Sequence, residues 1–135
     1  MSKPEIKYFQ SSESKFYSTV YIRVYNQAQD YYESLIQNPK RKPYVKSKYF
    51  GSKVFIDEFW VQLLSRNLGD RRRRLVFYRC AIDLIKNFKC APQIKNKSGQ
   101  KYHEFRGYTK DSEVFAVHIR ENSRGGLYFM SCFPL

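Results

Sequence analysis

The sequence predicts an α+β domain: two adjacent helices packed on one face of a four-stranded antiparallel sheet, preceded by an N-terminal strand or helix extension. Three observations predict it. Apolar residues recur at helical spacing in two consecutive stretches between Phe55 and Phe88. After Cys90 the pattern changes to alternating segments separated by turn chemistry. A hydrophobic content of 42% with 18% aromatic residues is enough for a packed core in a single 135-residue domain. The boundary is drawn at 48/49, with an extension and basic loop over 1–48 and the α+β unit over 49–135.

Residues 1–15 are polar and serine-rich and read as a loose arm. "FYSTVYIRVY" is β-branched and aromatic and suits either strand or helix, whereas "NQAQDYYESLIQ" suits a helix ended by Asn38-Pro39. Residues 38–54 carry six Lys/Arg, no acid, two prolines and a glycine, the composition of a basic loop. In "FIDEFWVQLLSRNL", Phe55, Phe59, Leu63, Leu64 and Leu68 fall at helical spacing, with Asp57 and Glu58 in the first turn, where the helix dipole favours acid. Gly69 is expected to close this helix as a left-handed cap, and Asp70 to cap the next, "RRRRLVFYRCAIDLIKNF". Leu75, Tyr78, Ala81, Ile82, Leu84, Ile85 and Phe88 form its apolar stripe. Pro92, Asn96, Ser98 and Gly99 then supply turn residues. "KYHEFRGYT", "EVFAVHIRE" and "GLYFMSCF" follow as strands joined by hairpin linkers, with a fourth strand in "APQIKN".

Alternation sorts the strand residues. Phe115, Val117 and Ile119 share the face that meets the helices, so His118 and Arg120 point to the uncovered side. In the last strand, Tyr128, Met130 and Cys132 alternate with Leu127, Phe129, Ser131 and Phe133, and either set can be the buried one. His103 and Arg106 fall on opposite faces unless a bulge near Gly107 intervenes.

Charge narrows the partners. There are 25 Lys+Arg against 12 Asp+Glu, a net charge of +13, which points to a polyanion, nucleic acid or an anionic membrane. There is no long apolar run and no lipidation motif, so the expected partner is nucleic acid, with no membrane. "MSKPEIKYFQ" has no apolar segment of the signal-peptide kind. Cys80, Cys90 and Cys132 have no Cys-x-x-Cys spacing for zinc and read as reduced core thiols in a cytoplasmic chain. No metal and no cofactor is expected.

Cleavage of RNA without a metal needs a base for the ribose 2′-hydroxyl, an acid for the leaving 5′-oxygen and cations on the phosphate. His103, Arg106, Thr109, His118, Arg120 and Ser131 place that inventory on three adjacent strands. Each histidine also has a plain structural explanation, as does the arginine run Arg71, Arg72, Arg73 and Arg74. At a helix start that run opposes the dipole, which calls for another reason such as phosphate contact. Lys40, Arg41, Lys42, Lys46 and Lys48, interleaved with Tyr44, Tyr49 and Phe50, suit an RNA-tracking surface or a solubilising linker.

The order helix, helix, then four strands, carried by "FIDEFWVQLL", "DRRRRLVFYRCAIDLI", "HEFRGYT…EVFAVHI" and the closing "LYFMSCFP", resembles the barnase–EndoU–colicin–RelE-like nuclease superfamily, in its phage and mobile-element branch. The resemblance covers Tyr49 to Leu135. It implies a metal-independent endoribonuclease acting on tRNA or mRNA, of the kind deployed as toxins and opposed by an antitoxin or immunity protein. It further implies acid/base work for His103, a phosphate-binding role for Arg106 and a hydroxyl contribution from Ser131, and it offers antitoxin contact as a second reason for the arginine run. The alternative is a non-catalytic basic nucleic-acid-binding module, which needs the same charge and no histidine.

Overall fold

The computed structural model describes residues 6–135. Residues 1–5, the start of the expected loose arm and of the segment read for a signal peptide, lie outside the described residues. Along the chain run β1 (Tyr8–Gln10), α1 (Tyr21–Leu35), β2 (Tyr44–Ser47), β3 (Ser52–Phe55) and α2 (Glu58–Leu64). They are followed by α3 (Leu68–Leu75), α4 (Tyr78–Asn87), β4 (Gln93–Lys97), β5 (Gln100–Tyr108), β6 (Val114–Glu121) and β7 (Leu127–Pro134).

The fold is α+β, but its sheet is not the predicted four-stranded antiparallel one, and four helices stand among the described residues where two were expected. The sheet is mixed and seven-stranded, in the order β1-β5-β6-β7-β3-β2, with β4 also on β5. β4 to β7 are mutually antiparallel neighbours. Two additions come from the N-terminal part. β1 runs parallel to the second half of β5, with Tyr8 beside Arg106, while β4 takes the first half. β3 meets β7 in parallel at Phe55 and Tyr128, and β2 pairs with β3.

The expected basic loop is therefore a β-hairpin. Val45, Ser47 and Val54 turn inward and are buried, while Tyr44, Lys46, Lys53 and Phe55 occupy the alternate positions. Gly51 takes φ +65° in the turn, a conformation suited to glycine. Strands of four residues with lysine on one face have the composition of a loop, and that concealed them. The 48/49 boundary falls in this hairpin's turn, so both sides of it share one sheet and one core. The described part of the arm is anchored as well. Ser11 Oγ donates to Asp83 Oδ2 at 2.7 Å, and Phe16 is buried with its N–H on the Val76 carbonyl.

Helix boundaries move in a way that explains the arginine run. α3 begins at Leu68, where the Asn67 side chain accepts the Asp70 N–H at 2.9 Å, so Gly69 lies inside its first turn rather than capping α2. The single helix expected from Arg71 onward breaks at Val76–Phe77 into α3 and α4. Arg72, Arg73 and Arg74 occupy the last turn of α3, where positive charge complements the dipole instead of opposing it.

The sheet curls around the core. Tyr49 and Phe50, on the β2–β3 turn, pack edge-on against Phe105 of β5, although β6 and β7 intervene in the sheet order. Inside, Phe59 stacks on Phe129 with ring centres 4.8 Å apart, and Phe77 stacks on Phe115 at 5.7 Å. Each of these four rings is buried, so truncation to alanine would cost about 3–5 kcal/mol. Cys80 and Cys132 are buried, Cys90 is half-buried against the core, and all three thiols are free. Among the described residues no helix is long and apolar enough to cross a membrane.

Candidate active site

Regular pairing of β5 with β6 sets Glu104 opposite His118, Tyr102 opposite Arg120 and Arg106 opposite Ala116 on the outer face of the sheet. The Glu104 carboxylate is only 3% exposed and is the centre of a charge network. His118 Nε2 lies 2.8 Å from Glu104 Oε1, and Lys95 Nζ donates to the same oxygen at 3.0 Å. Arg106 grips Oε2 through Nε at 3.1 Å and Nη2 at 2.9 Å, and its Nη1 reaches the Tyr8 hydroxyl at 3.4 Å. Burial works to raise the Glu104 pKa, but the hydrogen bonds from His118, Lys95 and Arg106 win and lower it to about 2. For His118, burial dominates and pushes the imidazole below its ordinary 6.5, against the pull of Glu104. With Nε2–H donated to the carboxylate, Nδ1 carries the lone pair of a neutral ring.

Ser131 joins this group through an irregularity in β7. Ile119 pairs with Phe129 but His118 pairs with Ser131, so Met130 is an extra residue in β7. The bulge lets Phe129 and Cys132 both enter the core while Ser131 and Phe133 stay on the outer face. Phe133 meets the His118 ring edge-on at 4.9 Å. Strict alternation could not bury both Phe129 and Cys132, which is why the register of this strand is open from sequence. A cleft of about 210 Å³ opens here, lined by His118, Ser131, Tyr102, Lys97, Arg66 and Met130.

The other predicted residues divide. His103 is on the opposite, inner face: it is 4% exposed, sits 3.0 Å from Glu121 Oε1 and meets Phe50 edge-on at 4.9 Å. β5 has no bulge at Gly107, so His103 is not brought together with Arg106 or His118. Arg106 is near the cleft but committed to Glu104. Thr109 is buried in the β5–β6 connection, where its Oγ1 accepts the Glu113 N–H at 3.1 Å. Arg120 lies over the Tyr128 ring at 5.2 Å.

The basic residues divide too. Arg71 donates to the carbonyls of Leu64 and Arg66, capping the end of α2, and Arg72 reaches the Ser18 carbonyl. Arg73 and Arg74 pair with Asp70, which also holds Arg66, and Arg74 covers the Phe133 ring at 5.2 Å. Lys40, Arg41, Lys46 and Lys48 are exposed on or beside the hairpin. Lys42 lies over Phe55 and Tyr128. Of the aromatics expected to stack on bases, Phe50 packs on the core, while Tyr49 meets Phe105 edge-on and stays exposed.

Sequence reasoning missed Glu104, Lys95, Lys97, Tyr102 and Arg66. The signal for Glu104 was present: alternation puts it beside Tyr102 and Arg106 on the uncovered face, two residues from a cation. Lys95 and Lys97 needed the β4–β5 register, which no pattern in "APQIKN" supplies. Among the described residues, no group of three or more His, Cys, Asp or Glu side chains is placed to hold a metal ion. The chain matches no protein-family model, no curated protein and no solved structure.

Proposed function

We propose that the protein is a metal-independent endoribonuclease that cleaves RNA by attack of the ribose 2′-hydroxyl, with His118 as the base. The observation that carries the reading is the 2.8 Å pair between His118 Nε2 and a buried Glu104 carboxylate, beside a cleft lined with cations and a hydroxyl. Glu104 fixes the tautomer and orientation of the ring, leaving Nδ1 to take the 2′-hydroxyl proton. As that proton leaves, the 2′-oxygen bonds to phosphorus and the bond from phosphorus to the 5′-oxygen breaks. Tyr102 lines the same cleft, and its hydroxyl, which donates to Gln100 Oε1 at 3.2 Å in the free protein, is the group on hand to protonate the departing oxygen. Lys97 and Arg66 supply positive charge to the phosphate, and Ser131 a hydrogen bond. Arg106 acts through Glu104 rather than on the phosphate. His103, on the far side of β5, has no part in this chemistry.

The +13 charge supports the same reading, which is also what the nuclease superfamily that the sequence resembles implies. A role as a toxin or mobile-element protein acting on tRNA or mRNA, opposed by an antitoxin, belongs to that resemblance. The test is incubation with total tRNA and a synthetic mRNA in EDTA, wild type beside His118→Ala. Fragments ending in 2′,3′-cyclic phosphate, lost in the variant, are expected. Uncut RNA that is retarded on a gel would instead make the protein a basic nucleic-acid-binding module.

A further inference from the structure

One row of residues runs straight across the outer face through five strand pairings. Lys95 of β4 stands beside Tyr102 of β5, Tyr102 beside Arg120 of β6, and Arg120 beside Tyr128 of β7. Tyr128 stands beside Phe55 of β3, and Phe55 beside Tyr44 of β2. At the usual strand spacing of ~4.8 Å the row is about 24 Å long. Four of its six members are aromatic, all half-buried. Cations lie over them: Arg120 on Tyr128 at 5.2 Å, Lys42 on Tyr128 at 4.8 Å and on Phe55 at 5.1 Å, and Lys53 on Tyr44 at 4.6 Å. The row passes His118, two residues from Arg120 on β6. At its far end it opens into a hollow of about 460 Å³ bounded by Arg41, Lys42 and Lys53.

We infer that this row is the binding path for an unpaired RNA strand, which crosses the sheet with bases on the four aromatic rings and phosphates on Arg120, Lys42 and Lys53. The inference rests on the ribonuclease reading for its ligand and names the substrate class: single-stranded RNA, not duplex. Every base has a π-face, so aromatic rings in series bind a strand whatever its sequence, while interleaved cations follow its backbone. A duplex keeps its bases stacked inside and presents none to such rings. Lys42 covers two rings in the free protein, and its weak 3.9 Å pairing with Asp57 leaves it free to swing from ring to phosphate.

The test is binding of a fluorescent 2′-O-methyl oligouridylate of about 12 nucleotides, which cannot be cleaved through its 2′ position, beside an RNA duplex of equal length. Tyr44→Leu and Tyr128→Leu keep apolar bulk but lose the stacking surface. Each is expected to weaken single-strand binding about 5- to 100-fold with the salt dependence unchanged. Lys42→Ala and Lys53→Ala are expected to reduce the slope of log affinity on log salt by about 0.7 each. Equal affinity for the duplex, or wild-type binding by both leucine variants, would overturn the path. Tight single-strand binding by a wild type that leaves RNA intact would overturn the nuclease reading alone. Cleavage with unchanged binding in the leucine variants would overturn the path alone.

Discussion

His103 and Glu104 are neighbours in the chain, nearly equally buried, and on opposite sides of β5. His103 is sealed in the core against Phe50 with one ring nitrogen on Glu121. Glu104 is held on the other face by three nitrogen groups from β4, β5 and β6. The two sides of one strand thus separate a packing histidine from a charge network beside the cleft.

Removing that carboxylate should be costly. Glu104→Ala leaves Lys95 and Arg106 without their common partner, and loss of one member of a buried ion pair costs about 3–5 kcal/mol. Glu104→Gln keeps the shape and one acceptor oxygen, and Lys95 and Arg106 are partly solvated, so its cost is about 1–3 kcal/mol. Urea unfolding of both variants checks the order. Alanine no worse than glutamine would mean that the network contributes nothing to stability.

Acid should remove the same contribution. The folded carboxyl titrates at about 2, below its ordinary 4.5, so its stabilisation is complete above pH 4.5 and is lost as the pH falls toward 2. At about 1.36 kcal/mol per unit the full effect is about 3 kcal/mol. Unfolding free energies measured across that window should fall with pH in the wild type and much less in Glu104→Gln. Parallel curves would remove Glu104 from the account.

How much of this was legible follows from the same strand. Alternation alone placed His118 and Arg120 on the uncovered face and the aliphatic residues of β6 inside, because side-chain period and burial agree there. It also put His103 on the other face from Arg106, and only a bulge that does not exist could have united them. The bulge that does exist, at Met130, depends on Phe129 and Cys132 both finding space in the core, which is a tertiary fact. β2 and β3 were hidden for a related reason: each is four residues long with a lysine in it, and only pairing with β7 makes the pair a sheet edge. The arginine run was misjudged because the start of α3 was placed three residues too late and its end at Val76–Phe77 left no mark in the pattern; together these inverted its relation to the dipole.

The rate of cleavage should follow the neutral form of His118. Its pKa lies below 6.5, so the rising limb of the pH–rate profile should lie below pH 6.5, with a plateau at neutrality. Glu104 raises the His118 pKa, so Glu104→Gln should move that limb to still lower pH. NMR titration of the His118 ring, compared with the kinetic limb, checks the assignment. A limb above 6.5, or one that does not move, would place the base elsewhere.

His103 gives the converse result. His103→Ala opens a cavity under Phe50 and takes from Glu121 the closer of its two partners, costing about 1–3 kcal/mol by urea unfolding. Just below its unfolding range, its cleavage of RNA should match wild type. His118→Ala should abolish cleavage, at a stability cost of about 1–3 kcal/mol for the hydrogen bond it withdraws from Glu104. Loss of activity in folded His103→Ala would return the acid/base role to the inner face.

Gly107 tests whether the N-terminal strand belongs to the fold that supports the site. A Cβ there would stand 2.9 Å from the Phe9 carbonyl oxygen, 3.1 Å from Phe115 Cζ and 3.2 Å from Leu84 Cδ1. The nearest atom is backbone and cannot rotate away, so in Gly107→Ala β1 must leave its place beside β5. The overpacking is expected to cost about 1–3 kcal/mol. Displacement of β1 also removes the Tyr8 hydroxyl from Arg106 and strips the parallel pairing that covers this edge. Limited proteolysis should then cut the variant between β1 and α1 at protease levels that leave the wild type whole. The β4–β5–β6 pairing around Glu104 and His118 does not pass through Gly107's contact with Phe9, so single-strand RNA binding should persist. Loss of binding together with the strand would mean that β1 holds the outer face in shape, not only its edge.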